Sequence, residues 1–147
     1  MIRDVEINDA VWIHELNSFE LGFRADYTFT KERLAHLLSK PEQHFIQGYE
    51  HNGKLVGYIH AQLYETLYDK PLANILALVV SEDNQGLGIG RLLIEALYGS
   101  AKEKGLAGIR INSGLYRENA HQYYEYMGFT KAENQMRYLK LFDDTQQ

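Results

Sequence analysis

Short runs in which apolar and polar residues alternate predict β-strands in the first half of the chain. Three such runs lie at residues 2–7, 44–51 and 54–65. Asn52 and Gly53, between the second run and the third, are typical of a type I′ turn and therefore predict a β-hairpin. Further strands are predicted at residues 108–112 and, as a final pair, at about residues 129–133 and 136–142.

Apolar residues that recur every three or four positions predict four helices. The first helix follows the suitable N-caps Asn8 and Asp9, and its apolar positions are Trp12, Ile13, Leu16, Phe19 and Phe23. Thr30 is the predicted N-cap of the second helix, whose inward positions are Leu34, Leu37 and Leu38. Gly105 is the expected C-cap of the third helix, whose apolar face holds Ile89, Leu92, Leu93, Ala96, Leu97 and Ala101. The fourth helix is predicted at residues 118–127.

The stretch from Ile75 to Leu93 combines a strand, a glycine turn and the start of a helix. Its first six residues predict a strand covered on both faces, because the run is too short for a helix and rich in branched side chains. Gly86, Gly88 and Gly90 follow at alternate positions, a spacing that differs from those of the Walker and dinucleotide-binding loops. Glycines before a helix N-terminus suit a phosphate or pyrophosphate, and a tight connection without a ligand is the alternative.

Composition narrows the class of protein and its partners. With 147 residues the chain has the length of one domain, and we expect residues 1–147 to form a single one. It contains no cysteine, which excludes disulfides and a thiol nucleophile, and no apolar run near the ~20 residues of a membrane span. The net charge of −5 comes without a basic run, so we expect no nucleic-acid or membrane partner. The N-terminus lacks a signal-peptide pattern, and a cytoplasmic location is expected.

Two motifs give the chain a family resemblance. Gln85-x-x-Gly88-x-Gly90 resembles the pyrophosphate loop of the GNAT family of N-acetyltransferases, which lies between the fourth strand and the third helix of that fold. The stretch with Tyr123-Tyr124 followed by Gly128-Phe129 resembles the second cofactor motif of the same family. The resemblance implies a GNAT fold of the α/β (α+β) class, with six to seven mostly antiparallel strands in a mixed, twisted sheet flanked by about four helices. The implied order is β-α-α-β-β-β-α-β-α-β-β.

The resemblance also implies a cosubstrate, acetyl-CoA, and the residues that hold it. Its pantetheine arm is expected along the main chain of Leu78, Val79 and Val80. Its pyrophosphate is expected on the main chain of Gln85, Gly86, Leu87, Gly88, Ile89, Gly90 and Arg91. Asn119 is expected to bond the pantetheine or phosphate end, and no metal is expected. Tyr124 aligns with the catalytic tyrosine of many members, whose phenol is protonated at neutral pH and can donate to the leaving thiolate.

The chain departs from the family pattern at the general base. Many relatives carry a glutamate on the fourth strand, and none of the corresponding residues here is acidic: Asn74, Leu76 and Ala77. His60, Glu65 and Glu20 are alternative proton acceptors, and each also suits a structural role. A water chain, or an acceptor amine of low pKa that needs little help, is a further alternative.

These features together predict an acetyl-CoA-dependent N-acetyltransferase that acts by direct attack of a primary amine, the amine belonging to a small molecule. The stretch around Arg117 and His121 resembles members that act on small amines, including aminoalkylphosphonates and aminoglycosides. Whether these two side chains contact the cofactor stays open. A protein N-terminus or lysine as acceptor is one alternative, and a catalytically silent acyl-CoA-binding or sensor module is another. A homodimer is compatible with the sequence.

Overall fold

The computed structural model of the chain describes residues 1–112 and 118–143. The chain divides into two compact units, Met1–Asn112 and Ser113–Gln147, and each is described by itself. The strands are β1 (Ile2–Asp4), β2 (His44–His51), β3 (Lys54–Tyr64), β4 (Leu72–Val80) and β5 (Ile109–Ile111). The helices are α1 (Ala10–Glu20), α2 (Tyr27–Leu38), α3 (Ile89–Glu103) and, in the second unit, α4 (Glu118–Tyr126). A single domain over residues 1–147 stays a prediction.

One sheet, in the order β1-β2-β3-β4-β5, holds the five strands of the described residues. Neighbouring strands are antiparallel except β4 and β5, which are parallel. The predicted hairpin between β2 and β3 is confirmed, because Asn52 (φ 54°) and Gly53 (φ 82°) both take the left-handed conformation that a type I′ turn requires. The predicted fold class, a mixed and mostly antiparallel sheet together with four helices, is confirmed as well.

The predicted final pair of strands, at residues 129–133 and 136–142, is not formed. Residues 129–141 have no regular secondary structure, so the described part of the chain has five strands rather than six to seven. Apolar side chains recur in this stretch, but Tyr138 is 87% exposed, and no ladder joins these residues to another described strand. A strand needs backbone partners as well as a suitable pattern, and the pattern does not supply them.

Two details of the first helices differ from the sequence prediction. Helix α2 begins at Tyr27 because Asp26, rather than Thr30, is its N-cap: the Asp26 carboxylate accepts a hydrogen bond of 2.8 Å from a main-chain N–H in the first turn. Thr30 lies inside the helix and is buried. Phe19 and Phe23, expected on the inward face of α1, are both exposed, because α1 ends before the second of them.

Helices pack on both faces of the sheet. Tyr58 and Val79, which lie opposite each other on β3 and β4, are buried with residues from α1 and α2. The neighbouring Gly57 faces the other way, since a Cβ built on it would lie 3.4 Å from Cγ2 of Ile89 at the start of α3. We therefore call the side of the sheet that carries Tyr58 the α1/α2 face, and the opposite side the α3 face.

The buried residues of α3 nearly match the apolar face predicted from the sequence. Its buried residues are Ile89, Leu93, Ile94, Leu97 and Ala101. Ile94 takes the inward position that the sequence pattern assigned to Leu92, which is 41% exposed. Gly105, with φ 74°, follows the helix in the left-handed conformation predicted for its C-cap region.

A charge cluster joins β1 to the segment before α1. The Arg3 guanidinium donates two hydrogen bonds of 2.8 Å to the Asp9 carboxylate and one of 2.8 Å to Glu50. Asp9 also accepts a 2.8 Å hydrogen bond from the N–H of Glu6. Burial alone would raise the pKa of Asp9, but its bonds to Arg3 and Glu6 together lower that pKa. The side chain that was predicted to cap α1 therefore serves as the acceptor of a nearly buried ion pair.

We predict that Asp9→Asn lowers the free energy of unfolding by about 2–3 kcal/mol, because it leaves the half-buried guanidinium without its bidentate partner. The matched control is Glu95→Gln, which breaks the exposed pair between Arg91 and Glu95 and is expected to cost about 0–0.5 kcal/mol. Urea unfolding of both variants measures the difference, and equal losses would contradict the structural role of Asp9.

Candidate active site

Strand β4 has a partner on each edge over only part of its length. Along one edge it pairs with β3 from Leu72 to Val80. Along the other edge it pairs with β5 only over Ala73–Ile75, opposite Ile109–Ile111. Beyond Ile75 no strand of the described residues pairs with this edge, so the last part of β4 has no strand partner there. We call the stretch from residue 76 to residue 80 on this side the open edge of β4.

A β-bulge lies where β5 leaves. His60 of β3 is opposite Ala77, and the next residue, Ala61, is opposite Ile75, so Leu76 is the extra residue of β4. Its side chain is 48% exposed, in contrast to its neighbours in the strand. A bulge bends the strand and increases its local twist, which helps β4 to diverge from β5 at this point.

The main-chain groups along the open edge follow from the alternation of the strand. Ser81 donates its N–H to the carbonyl of Val56 on the β3 side, at 2.8 Å, and Val79 therefore also faces β3. Leu78 and Val80 consequently direct their N–H and C=O groups toward the open edge. An extended ligand with amide groups can pair with such an edge as an added strand. Of the three residues predicted to hold the pantetheine arm, Leu78 and Val80 face the open edge, whereas the main chain of Val79 faces β3. That Leu78 and Val80 hold the arm stays a prediction.

The glycine turn directly follows this edge. After a short 3-10 helix, Glu82–Asn84, both Gly86 (φ 80°) and Gly88 (φ 82°) take the left-handed conformation, and α3 begins at Ile89. A Cβ built on Gly86 or Gly88 meets no atom within 4 Å, so the space beside the turn is open. The first helical hydrogen bond runs from the N–H of Leu92 to the carbonyl of Gly88. The N–H groups before it have no carbonyl one turn earlier, which makes this end of α3 attractive to an anion.

Side chains tie the turn to the strands around it. Gln85 donates from Nε2 to the carbonyl of Val80 at 3.0 Å, and Asn84 donates from Nδ2 to Oγ of Ser81 at 2.7 Å. Gln85 was predicted as the first residue of the pyrophosphate loop. In the structure its side chain holds that loop against the end of β4, and its main-chain N–H donates to the carbonyl of Glu82 at 3.3 Å.

Two charged residues near the turn already have protein partners. Glu20, a candidate base from the sequence, accepts a hydrogen bond of 3.1 Å from the N–H of Glu82. Arg91, at the start of α3, donates from Nε to the Glu95 carboxylate at 2.9 Å, and both side chains are exposed. Glu65, the other acidic candidate, is exposed beyond the end of β3. These contacts favour structural or surface roles for Glu20 and Glu65.

A row of polar side chains crosses the α1/α2 face beside the open edge. We call it the polar row, and its members are His44, His60, Gln62, Tyr64, Asn74 and Arg110. His60, Gln62 and Tyr64 alternate along β3 on the same side as Tyr58. Asn74 lies opposite Gln62 on one side and opposite Arg110 on the other, which brings β2, β3, β4 and β5 together in one row. Most of these side chains are half-buried, and Asn74 is buried.

Two histidines of this row form a direct pair. Nδ1 of His44 lies 2.9 Å from Nε2 of His60, a distance at which one ring donates to the other. Burial, together with the charge of His44, lowers the pKa of His60 to about 4. Burial also lowers the pKa of His44, assisted by the positive charges of Lys40, His36 and Arg33. His60 is therefore neutral at pH 7 and stands next to the bulge, opposite Ala77.

A tyrosine further along the same face is fixed by a helix. Tyr58 donates its hydroxyl hydrogen to Oδ1 of Asn17 on α1. Burial raises the pKa of Tyr58 to about 12, so its phenol stays protonated over the physiological range. Sequence reasoning did not single out Tyr58, His44 or Arg110, because only the register of the sheet shows which residues share a face with His60.

The second unit contains Tyr124, the predicted catalytic residue. Tyr124 lies on α4, and its ring makes edge contacts with Tyr123 at 5.8 Å and with Phe129 at 6.0 Å between ring centroids. The carbonyl of Tyr124 accepts a 3.0 Å hydrogen bond from the N–H of Phe129, and Gly128 between them has φ 95°. The predicted Tyr-x-x-x-Gly-Phe motif is therefore a helix end in which the glycine turns the phenylalanine back onto the tyrosine.

Several predicted residues cannot be placed against this geometry. The side chain of Asn119 and the whole of Arg117 lie outside the described residues. His121 is half-buried on α4. Within residues 1–112 and 118–143 no group of three His, Cys, Asp or Glu side chains is arranged to hold a metal. No helix in the described part of the chain is both long and apolar enough to cross a membrane.

Known proteins share this fold. The sequence model of the Acetyltransferase (GNAT) family matches residues 9–129. Glucosamine-6-phosphate N-acetyltransferase from Arabidopsis thaliana has a TM-score of 0.80 and 21% identity, over 97% of this chain and 98% of that one. An aminoglycoside acetyltransferase from an uncultured soil metagenomic sample has a TM-score of 0.81 and 23% identity, over 97% and 96%.

A third similar structure is an acetyltransferase from Trypanosoma brucei, with a TM-score of 0.78 and 23% identity over 96% of this chain and 99% of that one. No curated protein sequence gives a significant match. At these identities the solved structures demonstrate a shared fold, and the sequence model of the family adds the match over residues 9–129.

We predict that Gly88→Ala weakens acetyl-CoA binding at least tenfold, because the new methyl group occupies the open space beside the turn. Gly105→Ala is the matched control, since Gly105 also has a left-handed φ and open space around it but lies beyond the other end of α3. Both variants should lose a similar stability of about 1–2 kcal/mol from backbone strain. Calorimetric titration measures the affinity, and equal affinities of the two variants would contradict the role of Gly88.

The histidine pair predicts a dependence of stability on pH. The folded pKa of His60 lies near 4, below the usual 6.5, so the unfolded chain binds more protons between these values. The free energy of unfolding should therefore fall as the pH drops from 6.5 to 4, by at most about 3 kcal/mol. His60→Gln should flatten this decline, and His51→Gln, at the exposed end of β2, should retain it. Thermal unfolding over this range is the measurement, and an unchanged decline in His60→Gln would refute the assignment.

Proposed function

The chain belongs to the Acetyltransferase (GNAT) family and is an acyltransferase, and we propose that it transfers an acetyl group from acetyl-CoA to a primary amine of a small molecule. The observation that carries this proposal is the open edge of β4, which runs directly into the glycine turn at the start of α3. An extended pantetheine arm fits the open edge, and a pyrophosphate fits the glycine turn. The turn follows the open edge directly along the chain, so one molecule can contact both.

The residues of the chain divide the binding between them. The main chain of Leu78 and the N–H of Val80, whose carbonyl accepts from Gln85, are the proposed partners of the amides of the arm. The turn after Gln85, from Gly86 to Arg91, is the proposed source of N–H groups and of the positive end of the helix dipole. Gly86 and Gly88 leave room for the phosphates to approach the backbone. When bound, acetyl-CoA provides an acyl thioester that an amine nitrogen can attack.

Two protons must be handled during the transfer. The leaving sulfur gains one, and the phenol of Tyr124 is the proposed donor, because a phenol ordinarily remains protonated up to about pH 10. The amine loses one, and no residue at the predicted base positions of β4 is acidic: Asn74, Leu76 and Ala77. His60 is neutral at pH 7 and lies opposite the bulge, but its low pKa makes it a weak base. Water held by the polar row is the simplest carrier of this proton.

The similar structures support a small acceptor. One is named a glucosamine-6-phosphate N-acetyltransferase and another an aminoglycoside acetyltransferase, and both names describe amines of small molecules. The alternative within the same class is a protein N-terminus or lysine. A catalytically silent acyl-CoA-binding module is the second function, favoured by the absence of an acidic residue at the three base positions of β4.

The first experiment is a calorimetric titration with acetyl-CoA, with ATP and NAD as controls. Saturable binding of acetyl-CoA alone, followed by thiol release in the presence of a primary amine, supports the enzyme. Binding without release with any amine or peptide would instead support the silent module. An absence of binding to folded protein would overturn the assignment of both the open edge and the glycine turn.

We predict that Tyr124→Phe lowers kcat by about 10²–10⁴, because it removes the proton donor to the leaving group. In the wild type kcat should also decline at high pH as the phenol ionises. This decline should be absent from the pH–rate profile of the variant. Tyr126→Phe, which alters an exposed tyrosine on the same helix, is the matched control and should behave as wild type. A pH–rate profile measures both effects, and the same high-pH limb in Tyr124→Phe would eliminate the assignment.

A further inference from the structure

We propose that Arg110 binds an anionic group, a carboxylate or a phosphate, on the acceptor molecule, so that the preferred acceptor is a primary amine with an acidic substituent. The inference rests on the proposed acetyl transfer and names the class of its acceptor. It is drawn from the polar row on the α1/α2 face, where Arg110 is held in a fixed position without a carboxylate partner among the described residues.

The guanidinium of Arg110 is positioned from two directions. Its NH1 donates a hydrogen bond of 3.1 Å to Oδ1 of Asn74, the residue directly opposite on β4. Its central carbon lies 4.5 Å from the centroid of the Tyr64 ring, over which the cation stacks. Asn74 is buried, so this anchor is well fixed. One amide bond and one ring face leave most of the five N–H donors of an arginine available for an oxyanion.

The charge around Arg110 also favours an anion. The strands of this face carry no acidic side chain near it; the neighbouring residues are His44, His60, Gln62, Tyr64, Leu72, Asn74 and Ala77. The other arginines with described ion pairs, Arg3 and Arg91, each have a carboxylate within 2.9 Å. The chain as a whole has a net charge of −5, which makes an uncompensated cation on this face notable. A carboxylate or phosphate forms two parallel bonds with such a group.

The position of Arg110 suits a group at the far end of a small acceptor. Asn74, which holds Arg110, precedes Leu78 on the open edge by four residues, on the order of 10–13 Å along the strand. The acetyl group is expected beside that edge, and Arg110 lies on the α1/α2 face of the same sheet. An arginine side chain and a small amine with an acidic substituent can together bridge this distance. An alkylamine without an acidic substituent cannot bind Arg110 while its nitrogen lies beside the acetyl group.

The test uses pairs of amines in which one member carries an anionic group and the other lacks it. The pairs are β-alanine with n-propylamine, and glucosamine 6-phosphate with glucosamine. We expect kcat/KM for the anionic member to exceed that for the neutral member at least tenfold in one pair, which also identifies whether the anion is carboxylate or phosphate. Wild-type ratios near one in both pairs would overturn the proposal while leaving acetyl transfer intact. Turnover of none of the four amines by protein that binds acetyl-CoA would overturn it as well.

Variants then separate recognition from folding. Arg110→Gln should bring the ratio within each pair close to one, mainly through KM for the anionic amine, without changing KM for acetyl-CoA. Asn74→Asp keeps the size of the side chain and the arginine, but it supplies a carboxylate beside Arg110, and it should reduce the ratio in the same way. Tyr64→Phe keeps the stacked ring and should retain the ratio. Loss of acetyl-CoA affinity in Arg110→Gln would assign this arginine to the cosubstrate instead and overturn the proposal.

The control for a lost positive charge is Lys102→Gln. Lys102 also lies over a tyrosine ring, at 5.2 Å from the centroid of Tyr98, but on the exposed side of α3. Lys102→Gln should keep the wild-type ratio of kcat/KM between the anionic and the neutral amine in both pairs. A fall in the ratio equal to that of Arg110→Gln would show that net charge, rather than the polar row, sets the preference, and would overturn the proposal. Failure of acetyl-CoA to bind the wild type would instead reject the acetyltransferase function itself.

Discussion

The candidate active site depends on one constraint, the loss of a hydrogen-bonding partner along one edge of β4. Up to Ile75 the strand is paired on both sides, and beyond it β3 is its one strand partner among the described residues. A sheet normally covers or pairs such an edge, since free N–H and C=O groups attract other chains. Here the bulge at Leu76 marks the divergence, and the edge leads directly into the glycine turn. The same feature therefore provides both the space and the main-chain donors for an extended ligand.

The rest of the first unit holds this edge in place. On the α1/α2 face, Tyr58 and Val79 pack against the two first helices, and the hydroxyl of Tyr58 is bonded to Asn17. On the α3 face, the close approach of Ile89 to Gly57 sets the position of the helix whose N-terminus is the proposed anion site. Since a Cβ at Gly57 would also lie 2.9 Å from the carbonyl of Val79, only glycine allows β3 to approach β4 so closely at this point.

The polar row gives the site a chemical character that the family motifs do not specify. The motifs concern the proposed donor of the acetyl group. The proposed acceptor lies on the α1/α2 face, where Asn74 stands at one of the β4 positions that many relatives fill with an acidic residue, and where the histidine pair and Arg110 lie on neighbouring strands. An arginine without a carboxylate partner among the described residues, beside neutral histidines, underlies the proposal of an acceptor with a negative charge rather than a polycation.

The sequence by itself determined the local elements and the cofactor motifs. Asn52-Gly53 predicts its hairpin, and the glycines before α3 predict their turn, because each depends on the φ that few residues other than glycine and asparagine adopt. Only the tertiary structure decided what depends on pairing between distant strands. The bulge at Leu76, the absence of a strand ladder at residues 129–141 and the alignment of His60, Asn74 and Arg110 all follow from register, which periodicity leaves open.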